Sequence, residues 1–336
     1  MATRESENLV QLIQTALGYC RAQVLFTSHR LGVFAYLEDG AKTADQVAAH
    51  LGSAPRHTEH LLTACVPLGL LAKDGQLYRN TELAASFLVD GKPGYMGEWL
   101  NLWADWYRPW GVLEKTVRTG KPSEEPADHL GGDADYTRHF ILAMHPYARG
   151  PGREIVNHVD LSQRKRLVDI GGGPGTHAAL LAQRNPHLSA VVFDLPAVVE
   201  IAKEVIQEYG VSDRVSVKAG DYNTDAVGDG DFDVALISNT LHQEDPEVCR
   251  RTLRKAYDAL EPGGLLIVQA MFLNPAKDGP MWPTIHSLLL SLVYQGGRAY
   301  SADETIEFIT QAGFVEARPK RMSLLNADSL ILAKKP

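Results

Sequence analysis

The stretch Leu167-Val-Asp-Ile-Gly-Gly-Gly-Pro-Gly-Thr176 decides the fold of this 336-residue chain. It is a short apolar run that ends in an acid and passes straight into a glycine-rich turn. Glycines at a strand end allow positive φ and let a ligand come close to the backbone. A dinucleotide-binding turn needs Gly-x-Gly-x-x-Gly. Counted from Gly171, that pattern requires glycine at position 176, where Thr176 stands. The glycines here follow Gly-x-Gly-x-Gly instead: Gly171, Gly173 and Gly175. Asp169 just before them suits a ligand with a positive ammonium better than a pyrophosphate.

Outward from this turn the chain alternates strand and helix. Strands are expected at Leu167–Ile170, Ala190–Phe193, Val215–Val217, Val234–Ser238, Leu265–Ala270 and Leu330–Ala333. Helices are expected around Ala178–Arg184, Ala197–Tyr209, Glu247–Leu260 and Asp303–Ala312. Near-continuous apolar strands separated by helices imply a mostly parallel sheet covered on both faces. Such a sheet binds ligands at the carboxyl ends of its strands. The end of the chain predicts an antiparallel strand pair reversed at about Asn326-Ala-Asp328.

The first 150 residues read differently. Leu9, Leu12, Ile13, Ala16 and Leu17 mark an amphipathic helix, and a second apolar helix is expected from about Ala22 to Leu37. Thr43 is a candidate N-cap with Gln46 as its capping-box partner. A helix from about Arg56 to Leu68 and a hairpin turning at Asp74-Gly75 complete a winged-helix pattern. The helix in the recognition position carries one Arg and no Lys, which argues against nucleic acid. Spacings of three and four predict one helical face shared by Trp99, Trp103, Trp106 and Trp110, interrupted at Pro109. Expected domains are therefore 1–150, helical and winged-helix-like, and 151–336, an α/β Rossmann-like domain.

Composition excludes several classes. The net charge is −8, which disfavours polyphosphate partners. No apolar run reaches the roughly 18 residues that span a bilayer. Three widely spaced cysteines, Cys20, Cys65 and Cys249, offer neither a zinc motif nor a disulfide framework. No metal is expected, and the expected location is the cytoplasm.

Two further strand ends carry acids. Val191-Val-Phe-Asp194 places a carboxylate where a ribose is held, and Gly220-Asp-Tyr222 offers an acid and a ring to an adenine. With Leu195-Pro196, the Leu241-His242 segment and the Pro262-Gly-Gly turn, these motifs resemble those of the class I S-adenosylmethionine-dependent methyltransferases. The resemblance is to the small-molecule O-methyltransferases of the caffeate, hydroxyindole and bacterial polyketide-tailoring type, and covers nearly the whole chain. It implies S-adenosyl-L-methionine as cofactor, S-adenosyl-L-homocysteine as product, a homodimer through the N-terminal domain, and a hydroxylated aromatic or polyketide-like acceptor from secondary metabolism. Asp169, Gly171, Gly173, Gly175, Asp194, Leu195, Asp221, Tyr222, Ser238 and Asn239 would bind the cofactor. C- or N-methylation, or non-methylating use of the same cofactor, are the alternatives.

The resemblance makes His242 the candidate base, with an acid limb near about 6.5 if its pKa is ordinary. Family members orient this His with carboxylates, yet here Gln243 follows it, and the other two positions are Ala270 and Ala299. His286 could bond the acceptor, pair with His242, share a metal with it, or simply pack. Trp103, Trp106, Tyr107, Phe140, Met144 and Met271 are the expected acceptor wall, with a dimer core as the competing reading of the tryptophans.

Overall fold

The computed structural model describes residues 4–123, 130–322 and 328–336. The chain divides into two compact units, Met1–Asp105 and Trp106–Pro336.

The N-terminal unit opens with α1 (Arg4–Ala16), α2 (Gly18–Arg30) and α3 (Val33–Tyr36). The single helix expected over Ala22–Leu37 is two helices. Gly32 takes a left-handed φ of +80° and breaks it, a conformation that costs glycine little. Next come β1 (Lys42–Thr43), α4 (Ala44–Leu51), α5 (Pro55–Cys65), β2 (Leu71–Asp74) and β3 (Leu77–Asn80). The small sheet has the order β1-β3-β2, so the winged-helix reading holds. Thr43 Oγ1 accepts from the Gln46 amide while Gln46 Oε1 accepts from the Thr43 amide, the reciprocal cap expected for α4. α6 (Glu82–Phe87) and α7 (Gly97–Asp105) close the unit. Its core is built from residues such as Phe34, Leu62, Leu71 and Tyr78. α1 contributes nothing to it: every described residue of that helix is exposed, its apolar face included, with Leu12 at 66%.

The second unit begins with α8 (Tyr107–Gly111), α9 (Leu113–Thr119) and α10 (Ala134–His158). The boundary expected at 150 thus falls inside a 25-residue helix. α10 packs on the helices of the large sheet, and Gly152 permits this: a Cβ there would lie 2.7 Å from Leu180 Cδ1.

The sheet follows as β4 (Arg166–Ile170), α11 (Thr176–Arg184), β5 (Ser189–Asp194), α12 (Pro196–Glu208), β6 (Val215–Ala219), β7 (Phe232–Ser238), α13 (Pro246–Ala259) and β8 (Leu260–Met271). α14 (Met281–Val293), α15 (Ala302–Gln311), β9 (Val315–Arg321) and β10 (Asp328–Lys334) complete it. The seven strands stand in the order β6-β5-β4-β7-β8-β10-β9, all parallel from β6 to β8, with β10 reversed between β8 and β9. The expected terminal strand pair is present, and its reversal crosses residues 323–327, outside the described ones. Two apolar layers cover the sheet. Val168, Ile170 and Phe193 pack with α13 and α15 on one face; Leu167, Val192 and Leu236 pack with α10, α11 and α12 on the other.

The topology fixes the site. From β4 the chain winds outward through β5 and β6, then returns to β7 on the other side. The glycine turn after β4 therefore stands at the switch point, where an open sheet leaves a crevice.

Asp233 pins the opposite end of β4. It is buried, and its carboxylate accepts from the Lys165 amide at 2.7 Å and the Arg166 amide at 2.8 Å. Asp233→Ala strands two amides at the sheet centre and should cost roughly 2–3 kcal/mol in urea unfolding, the range for hydrogen bonds to a charged group.

Candidate functional site

The glycine turn is a sequence requirement written into backbone geometry. Gly171, Gly173 and Gly175 have φ of +66°, +52° and +74°. A Cβ on Gly171 would meet Thr240 Oγ1 at 2.7 Å, and one on Gly172 would meet the Asp169 carboxyl carbon at 2.8 Å. Gly173 has nothing within 4 Å of its Cβ position, which leaves backbone open to a ligand. Gly175 caps α11.

Three acids gather at these strand ends. Asp194 ends β5 and is buried; its Oδ2 accepts from the Gly173 amide at 2.8 Å and its Oδ1 from the Leu195 amide at 2.7 Å. Burial raises its pKa to about 6, opposed by those two amides, with Asp221 adding to the rise. Asp221 caps its own turn, Oδ1 accepting from the Asn223 amide at 2.7 Å. Asp169 sits differently from the expectation of direct ligand contact. It lies fully buried beneath the turn, and neither carboxylate oxygen makes a hydrogen bond. Burial first, then the Asp194 charge, push its pKa up to about 7, tempered by the nearby Ala178 amide.

On the β7 side, Asn239 holds a positive φ of +52°. The Ser238 hydroxyl donates to Gln269 Oε1, and Asn239 Nδ2 donates to the same oxygen at 3.0 Å. Gln269 was not anticipated as a site residue. Its signal is a lone amide in the apolar run Leu265-Leu-Ile-Val-Gln-Ala-Met271. Glu244 was missed as well: its Oε1 accepts from Tyr222 Oη at 2.8 Å and from Asn223 Nδ2 at 3.3 Å.

His242 stands on the 3-10 turn Leu241–Gln243 just past β7. Its ring is partly accessible, yet dense surroundings and the His286 ring hold its pKa well below 6.5. His286 on α14 faces it edge-on, centroids 5.1 Å apart, and burial lowers its pKa to about 4. Trp282 lies 6.1 Å from His286. Both imidazoles are thus neutral at pH 7. Among the described residues no group of three or more His, Cys, Asp or Glu could hold a metal ion.

The expected aromatic face divides. The helix ends at Asp105 and restarts at Tyr107, so the tryptophans do not share one helix. Trp99 and Trp103 pair at 5.4 Å in the N-terminal unit. Trp106 belongs to the second unit and packs on Phe140 at 6.4 Å. Met271 is buried and receives Tyr147 Oη at 3.6 Å; Met144 is half-buried, and Tyr107 is 49% exposed.

The comparisons with known proteins agree with this geometry. An O-methyltransferase domain matches residues 123–315 and an O-methyltransferase dimerisation domain matches residues 13–90. The chain is 32% identical to a 3-hydroxy-5-methyl-1-naphthoate 3-O-methyltransferase of Streptomyces sahachiroi, across 96% of this chain and 94% of that protein. It is also 32% identical to the N,N-dimethyltransferase OxyT of Streptomyces rimosus, across 97% and 96%. The structure of human N-acetylserotonin methyltransferase in complex with S-adenosylmethionine superposes with a TM-score of 0.89 at 28% identity, covering 100% of this chain and 99% of that one.

The buried acid predicts a pH signature. Asp169 is raised from 3.8 to about 7, so the folded chain keeps a proton that the unfolded chain releases between about pH 4 and 7. The stability this group contributes is complete below pH 4 and is lost as pH rises through 7. Asp169→Asn should therefore melt above the wild type at pH 8, with the difference shrinking to nothing by pH 4. Parallel thermal melts across that range check it.

Proposed function

From the premise that this chain belongs to the S-adenosylmethionine-dependent O-methyltransferases, we propose that it methylates a hydroxyl of an aromatic or polyketide-like small molecule, with His242 as the base. The observation that carries the reading is His242: a neutral imidazole just past β7, two residues after the Thr240 that packs on Gly171, and facing the His286 ring of α14. The O-methyltransferases among its relatives act on naphthoate and other aromatic compounds, which supports the acceptor class.

The residues fit the cofactor. S-adenosylmethionine supplies an electrophilic methyl on a sulfonium and also carries an ammonium. A crevice with Asp169, Asp194 and Asp221 at its strand ends complements both positive charges. A carboxylate offers about four lone-pair sites, so Asp194 can keep both of its amides and still accept two ribose hydroxyls. The open backbone at Gly173, beside Gly171, borders the amino-acid end, and Tyr222 offers its ring to the adenine. Leu195, Ser238 and Asn239 line the same edge. Asp169 acts by charge from beneath the turn.

At the acceptor end Trp106, packed on Phe140, would form an apolar wall with Met144 and Met271 that orients a flat ring. Alignment of this kind is worth roughly 7–11 kcal/mol. His242 would accept the acceptor's hydroxyl proton as its oxygen takes the methyl that the bound cofactor would supply from its sulfonium. A phenol near pKa 10 needs this help at neutral pH. His286 closes the pocket beside the base. Cys65 and Cys249 are buried free thiols, which fits the cytoplasm.

The experiment is methyl transfer from labelled S-adenosylmethionine across a panel of phenolic naphthoates and polyketides. His242→Gln should lower kcat by roughly 10²–10⁴ while S-adenosylhomocysteine affinity stays unchanged. Because the His242 pKa lies well below 6.5, the base stays neutral further into acid. The acid limb of kcat should therefore fall well under pH 6.5, rather than at the ordinary value expected from sequence. Asp194→Ala should weaken S-adenosylhomocysteine by about 2–3 kcal/mol in calorimetry. No methyl transfer across the panel, with intact cofactor binding, would turn the reading toward other chemistry on the same cofactor.

The exposed apolar face of α1 and the dimerisation domain support a homodimer that covers it. Light scattering at micromolar concentration should give twice the chain mass, and Leu12→Glu with Ile13→Glu should shift it to the monomer.

A further inference from the structure

Three hydrogen bonds converge on the turn that carries His242. The Arg298 amide donates to the His242 carbonyl at 2.9 Å, and Tyr300 Oη donates to the Glu244 carbonyl at 2.6 Å. Both come from the segment after α14 and fix the turn from one side. The third comes from the cofactor side: Tyr222 Oη donates to the Glu244 carboxylate at 2.8 Å, with Asn223 Nδ2 on the same oxygen at 3.3 Å.

Glu244 follows His242 by two residues and shares its backbone turn, since the Glu244 amide donates to the Leu241 carbonyl at 3.2 Å. Tyr222 belongs to the Gly-Asp-Tyr loop after β6, and its own carbonyl is held by Lys255 Nζ at 2.7 Å. The Tyr222–Glu244 bond is thus a direct link between the loop assigned to adenine and the turn assigned to the base. A hydroxyl–carboxylate bond of this kind is among the stronger neutral-to-charged contacts. The surroundings are dry enough that burial and the Glu244 charge drive the Tyr222 pKa far up, so the phenol keeps the proton it donates.

We propose that Glu244 is a positioning residue that couples the cofactor seat to the base: its carboxylate holds the Tyr222 ring against the adenine end and thereby sets the turn that aims His242. The inference rests on the reading of Tyr222 and His242 above. Filling the adenine end restrains the Tyr222 ring, the Tyr222 hydroxyl restrains Glu244, and the short turn passes the restraint to His242. In chemical sequence, His242 reaches its working orientation after the cofactor is bound.

The test needs no acceptor. The full-length protein with 15N-labelled histidine is titrated with S-adenosylhomocysteine, and the His242 ring signals are assigned by their loss in His242→Gln. In the wild type, S-adenosylhomocysteine should shift those signals. Glu244→Gln keeps an oxygen for the Tyr222 hydroxyl and should preserve the shift. Glu244→Ala and Tyr222→Phe should each abolish most of it and weaken S-adenosylhomocysteine roughly tenfold in calorimetry, the worth of one charge-assisted bond. The double variant should cost no more than either single, since both remove one shared bond. Tyr222→Phe keeps the ring and the fold, so the bond can be read even if Glu244→Ala unfolds. Wild-type affinity with an unchanged His242 shift in Tyr222→Phe would overturn the proposal, as would fully additive costs in the double variant. Failure of the cofactor assignment itself reads differently: Asp194→Ala would then leave S-adenosylhomocysteine binding intact.

Discussion

The hydrogen bonds from the Gly173 and Leu195 amides to the Asp194 carboxylate are the constraint on which the catalytic unit depends. The first joins the turn after β4 to the end of β5, and the second fixes the carboxylate on its own strand end. The left-handed glycines let the turn reach Asp194 without strain, and Thr240 and Asp169 fill the space that side chains on Gly171 and Gly172 would need. The crevice is therefore shaped by backbone, and side chains lock it. The base turn after β7 is then built against it, because Thr240 packs on Gly171 while His242 follows two residues later.

The same arrangement carries a cost. Asp169 and Asp194 are both buried, and both carry the cost of lost solvation, with like charge from Asp194 added at Asp169 and from Asp221 added at Asp194. An apolar pair would be more comfortable in the fold. If the proposed assignment of this pair to a ligand carrying two positive charges holds, binding relieves that cost. On that reading, stability and cofactor recognition trade against each other at one pair of carboxylates.

Much of this was legible in the sequence because it is local. Glycine spacing, an acid at a strand end and apolar strands of five or six residues each declare themselves within a short window, and β4, β5 and β7 formed where expected. The capping box at Thr43 and Gln46 is local too. What was not legible depends on contacts far apart in sequence. Gln269 meets Ser238 across 31 residues, and Glu244 meets Tyr222 across 22. Periodicity misled at two places where the chain breaks while the pattern continues: Gly32 ends a run of apolar residues, and the turn at Trp106 parts four tryptophans spaced for one helix. The helix Ala134–His158 crosses the expected domain boundary because its packing partners lie later in the chain.

On the proposed reading, the surroundings of His242 offer an account of how a base would work with alanine at positions 270 and 299. A carboxylate beside an imidazole raises its pKa and makes the proton harder to pass on. Here burial acts in the other direction, and so does the repulsion that two protonated rings would feel, keeping the ring unprotonated and set against His286. A weaker base takes a phenolic proton less completely, so more of the barrier must be met by alignment of the oxygen with the methyl carbon. That places the demand on the walls of the pocket and on the turn beneath the base. A turn tied by Arg298 and Tyr300 through its backbone, and by Tyr222 through the Glu244 carboxylate, answers that demand without a carboxylate directly on the ring.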